Sequence, residues 1–177
     1  MLDGSLVRLA PFGPDDVTDD YVGWLNDPET FQYLGTKFGQ TRATARRYVD
    51  GIEPPNVLCR IIDKASGAHV GNVALHSIHT VHRSGELGIL IGSPTARGRG
   101  FGREACALLI AYAFEHLNLH KITAGTVDKN VPMKQVFLGL GFALEGTLRN
   151  QFYLRGEYHD IYRFGLLRDA FMSRRDA

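Results

Sequence analysis

The chain has 177 residues, 44% hydrophobic and 22% charged, enough for one soluble domain with a buried core. A formal net charge of +1, without a clustered basic patch, offers no field for nucleic acid or an anionic membrane. No apolar run reaches membrane-spanning length, the N-terminus lacks a signal-peptide core, and Cys59 and Cys106 make no disulfide framework; a cytoplasmic location with reduced thiols is expected. In chain order, Leu6–Leu9 reads as a short opening strand before the turn-rich Pro11-Phe12-Gly13-Pro14. Val17, Tyr21 and Trp24/Leu25 recur at helical spacing, and Asp15 and Asp16 suit that helix's N-terminus. Asn26-Asp27-Pro28 ends it, because the residue before proline is pushed out of the helical region. A second helix runs from after Thr41 to about Ile52, where Pro54-Pro55 stops it. Val57–Asp63 and Val70–Ile78 read as strands around a Ser66-Gly67 turn. A turn near Arg83-Ser84-Gly85 leads into a third strand, GELGILIGSP, ended by Pro94. The helix from Gly102 to about Leu117 is apolar at every position from Ala105 to Phe114, as for a helix covered on several sides against a sheet. Lys121–Val127 is a strand, and Val131–Leu138 a short helix ending near Gly139-Leu140-Gly141. Two final strands are expected at Phe142–Leu148 and Phe152–Leu167, the second interrupted at Arg155-Gly156-Glu157, with Arg174-Arg175 a solvated tail. The order β-α-α-β-β-β-α-β-α-β-β predicts one α+β (mixed α/β) domain over residues 1–177, with a largely antiparallel sheet.

The stretch TARGRGFGREA, residues 95–105, carries Gly98, Gly100 and Gly102 between a strand and a buried helix. Amides at a helix N-terminus, helped by its dipole, form an anion site, and glycine permits unusual backbone angles and close ligand approach. A phosphate or pyrophosphate is the natural guest. A nucleoside-triphosphate loop needs Gly-Lys-Ser/Thr, but Gly100 is followed by Phe101-Gly102-Arg103. A dinucleotide fingerprint needs G-x-G-x-x-G, but the sixth position from Gly98 is Arg103. In the preceding strand, alternation puts Leu87, Ile89 and Ile91 on one face and Glu86, Gly88, Leu90 and Gly92 on the other. That second face carries a carboxylate followed by gaps, where a ligand or backbone can lie close. His76, His79 and His82 do not read as a metal site, since strand positions 76 and 79 point to opposite faces and no carboxylate completes the set.

R-G-R-G-F-G at residues 97–102 resembles the acyl-CoA pyrophosphate loop of the GNAT superfamily of N-acetyltransferases, Q/R-x-x-G-x-G/A. DYVGWLNDPETFQYL, GELGILIG, the segment from Asn130 to Gly141-Phe142, and LEGTLR…RGEY…D resemble its Rim-type subgroup, which includes ribosomal-protein, polyamine and amino-sugar acetyltransferases. The resemblance covers most of the chain. It implies the GNAT fold, a central, mostly antiparallel twisted sheet flanked by helices, with acetyl-CoA as donor, no metal, and a primary amine as acceptor. Leu90, Ile91 and Gly92 would run along the pantetheine arm, and an amide near Leu90 would stabilise the oxyanion. The amides from Gly98 through Arg99, Gly100, Phe101 and Gly102 to Arg103 would hold the pyrophosphate, with Arg97 and Arg99 either adding charge or standing solvated beside the loop, and with Asn130 and Phe137 bordering the same ligand. Glu86, eleven positions before Arg97, stands where several members carry a catalytic base; it can equally orient the acceptor or pair with an arginine. Asn130 also suits an N-cap for the helix at Val131. Phe137 replaces the tyrosine with which many members protonate the departing thiolate, so the general acid is unassigned.

Trp24, Tyr33, Tyr153, Tyr158 and Asp160 are expected at the acceptor pocket. With no acidic block to dock a basic protein, the acceptor is expected to be a small amine, an amino-sugar nucleotide or a polyamine, rather than a protein N-terminus. The alternative is a non-catalytic acyl-CoA-binding module of the same fold. Dimers are common among similar proteins, which leaves a homodimer open.

Overall fold

The computed structural model describes residues 1–35 and 38–175. The described elements are β1 (Leu2–Asp3), β2 (Val7–Pro11), α1 (Asp19–Asn26), α2 (Pro28–Phe31), α3 (Arg42–Asp50), β3 (Val57–Asp63), β4 (His69–His79), β5 (Ser84–Ile91), α4 (Phe101–Glu115), β6 (Lys121–Val127), α5 (Val131–Leu140), β7 (Ala143–Leu154), β8 (Glu157–Leu167) and α6 (Arg168–Arg175). Hydrogen bonding orders the strands β1-β2-β3-β4-β5-β6-β8-β7. Pairing is antiparallel from β1 to β4 and through β6, β8 and β7, whereas β5 and β6 run parallel, Ser84–Leu87 against Lys121–Ala124. A parallel pair needs a crossover, and α4 supplies it. Contacts gather the chain into two compact units, Met1–His76 with Gly88–Leu109, and Ser77–Leu87 with Ile110–Ala177.

In the first unit, Phe12, Val17, Tyr21, Leu25, Ala45 and Val49 form a buried cluster, and Trp24, Leu58 and Leu90 pack against it. Helix α1 is capped by the Thr18 side chain, which accepts from Tyr21 N. Asp15 and Asp16, expected at that N-terminus, lie instead in a separate 3-10 turn, Pro14–Asp16, and Asp19 and Asp20 occupy the first turn of α1. Asp27 closes α1 and caps α2, and Thr41 caps α3.

In the second unit, Ile122, Ala124, Phe164 and Leu166 are buried, as are Ile110, Ala113 and Phe114 in the second half of α4. The C-terminal segment Arg168–Arg175 is helical, and Phe171 anchors it on Phe114 with ring centroids 5.3 Å apart. The break expected between Leu148 and Phe152 is a bulge within one strand. Leu148 faces Ile161 and Phe152 faces His159, so residues 149–151 stand opposite Asp160 alone. The interruption expected at Arg155-Gly156 is the hairpin turn itself, with both φ angles positive at 50° and 93°, as a two-residue turn between twisted strands requires.

Candidate active site

Beyond β5, a 3-10 turn at Pro94–Ala96 leads into the glycine segment. Gly98 and Gly100 adopt left-handed backbone, φ +72° and +84°. A Cβ on Gly98 would meet nothing within 4 Å, so conformation rather than crowding selects glycine there. Gly102 is under neither constraint. Its Cβ would lie 3.4 Å from both Ile89 and Ile91, an ordinary contact that a side-chain methyl could also make. Glu104 N bonds Gly100 O at 3.0 Å, and the amides of the turn ahead of it have no carbonyl within the helix to bind. Such a turn is a donor set for an anion.

The side chains around the loop are committed to protein partners. Glu104, in the first turn of α4, accepts from the amides of Ser5, Leu6 and Val7 at 2.8, 2.8 and 2.7 Å. No local pattern marks that role. Arg97 Nη2 donates to Thr30 Oγ1 at 2.6 Å and stands 3.5 Å from Asp27 Oδ2. The Thr30 hydroxyl holds the Asp27 carboxyl below the usual range, with Arg97 adding a smaller pull. Arg99 lies 3.9 Å from Asp63 Oδ2 and 4.5 Å from the Phe101 ring centroid.

Along β5 the expected alternation holds in this unit: Ile89 and Ile91 meet the Gly102 position, while Leu90 packs with the α1 cluster. The gaps on the Gly88 and Gly92 face are filled by protein, however. The His76 ring is 3.4 Å from a Cβ on Gly88, and the Trp24 indole occupies the place where a Cβ on Gly92 would be. His69 meets Trp24 edge-on at 5.0 Å and lies among Phe12 and Tyr21. Burial pushes the His69 imidazole down toward its neutral form and the Tyr21 phenol up to about 12. Tyr33 is half-buried in the turn after α2. Trp24 is thus the predicted acceptor residue that the fold brings alongside the predicted pantetheine strand.

In the second unit, Glu86 on β5 is paired: Arg163 Nη1 donates to its Oε1 at 2.8 Å, with both side chains 37% exposed. Asn130 caps α5 as expected, accepting from Met133 N at 3.3 Å. Phe137, expected beside the cofactor, is instead a core residue, 2% exposed and packed on Phe142 and Phe164 with centroids 5.4 and 5.5 Å away. Asp160 accepts from Asn150 N at 2.9 Å and so organises the β7 bulge. Tyr153 and Tyr158 meet edge-on at 5.3 Å beside the hairpin turn, both largely exposed. His159, which no sequence pattern marks, is nearly buried with Nδ1 3.3 Å from Asp128 Oδ1. Among the described residues, no group of three His, Cys, Asp or Glu is placed to hold a metal ion.

A glycine-bent loop opening a helix after a strand, in a mixed sheet of this order, is the arrangement of the acetyltransferase (GNAT) domain. Residues 7–143 match that family, and the chain belongs to it. It is 32% identical over 114 residues to spermidine N(1)-acetyltransferase of Vibrio cholerae, a match spanning 64% of this chain and 65% of that protein. The corresponding enzyme of Escherichia coli K12 is 31% identical, with 61% of its length matched. The chain therefore spans less than two thirds of these relatives. An uncharacterized N-acetyltransferase, p20 of Bacillus licheniformis, is 30% identical over 150 residues, covering 82% of this chain and 84% of that one. The fold is shared with spermidine N-acetyltransferase from Vibrio cholerae, solved in complex with CoA and spermine, at a TM-score of 0.87 and 24% identity over 96% of this chain and 99% of that one.

Proposed function

We propose that the chain transfers the acetyl group of acetyl-CoA to the primary amine of a small molecule, a polyamine or an amino-sugar nucleotide. The observation that carries this reading is the start of α4, where two left-handed glycines feed a helix whose first amides have no helical acceptor. That donor set suits a pyrophosphate. Acetyl-CoA supplies an activated acyl group. The chain's own share is positioning and removal of a proton. An amine of pKa about 10.4 is neutral in roughly one molecule in 2,500 at pH 7, and the ammonium form cannot attack. Glu86 is the carboxylate assigned to take that proton, directly or through one water. A thiol of pKa about 8.5 is a moderate leaving group, so a core Phe137 in place of a proton donor is tolerable.

The small acceptor is supported by the charge balance, Lys+Arg 20 against Asp+Glu 19 with no acidic block for a basic protein. The polyamine option is supported by the spermidine acetyltransferases among the relatives. The test is kcat/KM with acetyl-CoA across spermidine, a 4-amino-sugar nucleotide and N-terminal peptides, read as thiol release. One small amine should lead the peptides. Peptides ahead by tenfold would overturn the acceptor class, and no thiol release with any amine would leave a CoA-binding module. Glu86→Gln should lose most turnover near neutral pH and recover partly in alkali, where the amine deprotonates unaided. A uniform loss at every pH would reduce Glu86 to orienting the acceptor.

A further inference from the structure

Arg163 reaches Glu86 by crossing an intervening strand. It faces Gly125 across the β6–β8 pair, and Glu86 faces Thr123 across the β5–β6 pair. Thr123 and Gly125 share a face of β6 by alternation. A Cβ on Gly125 would stand 2.9 Å from Arg163 Nη1, so the guanidinium lies over the bare backbone of that glycine. The same device recurs one step along the sheet. Glu145 lies over Gly165, where a Cβ would collide with its carboxylate, and bonds Lys121 at 2.7 Å. Glycine inside a strand weakens it, and a half-exposed ion pair returns little stability. Two mid-strand glycines, each giving passage to a charged side chain, are therefore hard to explain by stability alone.

Resting on the assignment of Glu86 above, we infer that Arg163 is a positioning residue for the transfer reaction. Its guanidinium holds Oε1, fixes the carboxylate in one rotamer over β6, and leaves the second oxygen to the acceptor amine. Gly125 keeps the path open.

The test uses the full chain, acetyl-CoA, and whichever of spermidine, the 4-amino-sugar nucleotide or the peptide reacts fastest. Arg163→Met should lower kcat tenfold or more, with CoA affinity by calorimetry within twofold of wild type and thermal stability nearly intact. Arg163→Lys should regain part of the rate, and added methylguanidinium should raise the rate of Arg163→Met but not of wild type. Gly125→Ala keeps the arginine and blocks its path, so it should lower kcat in the same direction. In a Glu86→Gln background, Arg163→Met should add no further loss. Wild-type kcat in both Arg163→Met and Gly125→Ala overturns the positioning role even where Glu86→Gln is inactive. A loss in Arg163→Met that neither lysine nor methylguanidinium relieves, accompanied by weaker CoA binding, overturns it as a structural effect. Full activity of Glu86→Gln instead removes the base on which the inference rests.

Discussion

Trp24 is the single tryptophan of the chain, and its indole fills the space where any side chain on residue 92 would begin. Gly92→Ala therefore cannot be absorbed by a small adjustment of a flexible neighbour. The ring has to leave. Its departure breaks the edge contacts with His69 at 5.0 Å and Tyr21 at 6.3 Å and uncovers part of the α1 cluster. Overpacking costs about 1–3 kcal/mol, and lost aromatic contacts about 0.5–1.5 kcal/mol more. The sum, roughly 1.5–4.5 kcal/mol, lowers the melting temperature of a domain this size by roughly 3–18 °C. Calorimetry measures the loss, and Trp24 emission should shift to the red as the ring enters water. Adding Trp24→Ala to Gly92→Ala should cost less than the two changes summed, because the clash has been removed. An unchanged melting temperature with unshifted emission would refute the placement of Trp24 over Gly92.

Gly100→Val forces a branched side chain into left-handed backbone at φ +84°, at about 1–2 kcal/mol of strain. CoA affinity by calorimetry should fall tenfold or more while the protein stays folded, and undiminished affinity would remove the loop from the site. Burial pushes the Cys59 and Cys106 thiols up to about 11 and about 12, leaving at most about 0.1% thiolate at pH 8. A disulfide-exchange reagent should thus titrate both only after denaturation, and rapid labelling of the native protein would contradict their burial.

Where one local rule decided an element, the sequence was a sufficient guide. Strands β3 and β6 run over Val57–Asp63 and Lys121–Val127 as expected, and Asn130 caps α5. Helix α2 is only four residues long, too short to display a period. Helix α6 rests on Phe171 as its buried residue, and one apolar position sets no stripe. At Asn150 the chain does look like a turn, with φ +51°, but the Asp160 carboxylate across the hairpin keeps β7 paired through it. The glycines of the loop were legible because positive φ is a demand each residue makes on itself. The partners of Glu104, Arg97 and Glu86 were not, since they lie 99, 67 and 77 residues away. Alternation carried one residue past β5 groups Gly92 with Gly88 and Leu90, yet nothing local says that a tryptophan occupies the gap.

Glu104 occupies the turn of α4 that is proposed to receive a pyrophosphate, where a bare carboxylate would repel its guest. Three main-chain amides of residues 5–7 absorb that charge, and Leu6 also approaches Gly100, its Cδ1 3.5 Å from a Cβ there. Residues 5–7 therefore solvate that carboxylate with neutral main-chain donors, beside the loop proposed to hold the cofactor, where another protein would put a lysine. Displacing residues 5–7 would strip the Glu104 carboxylate of those three donors beside the proposed pyrophosphate site.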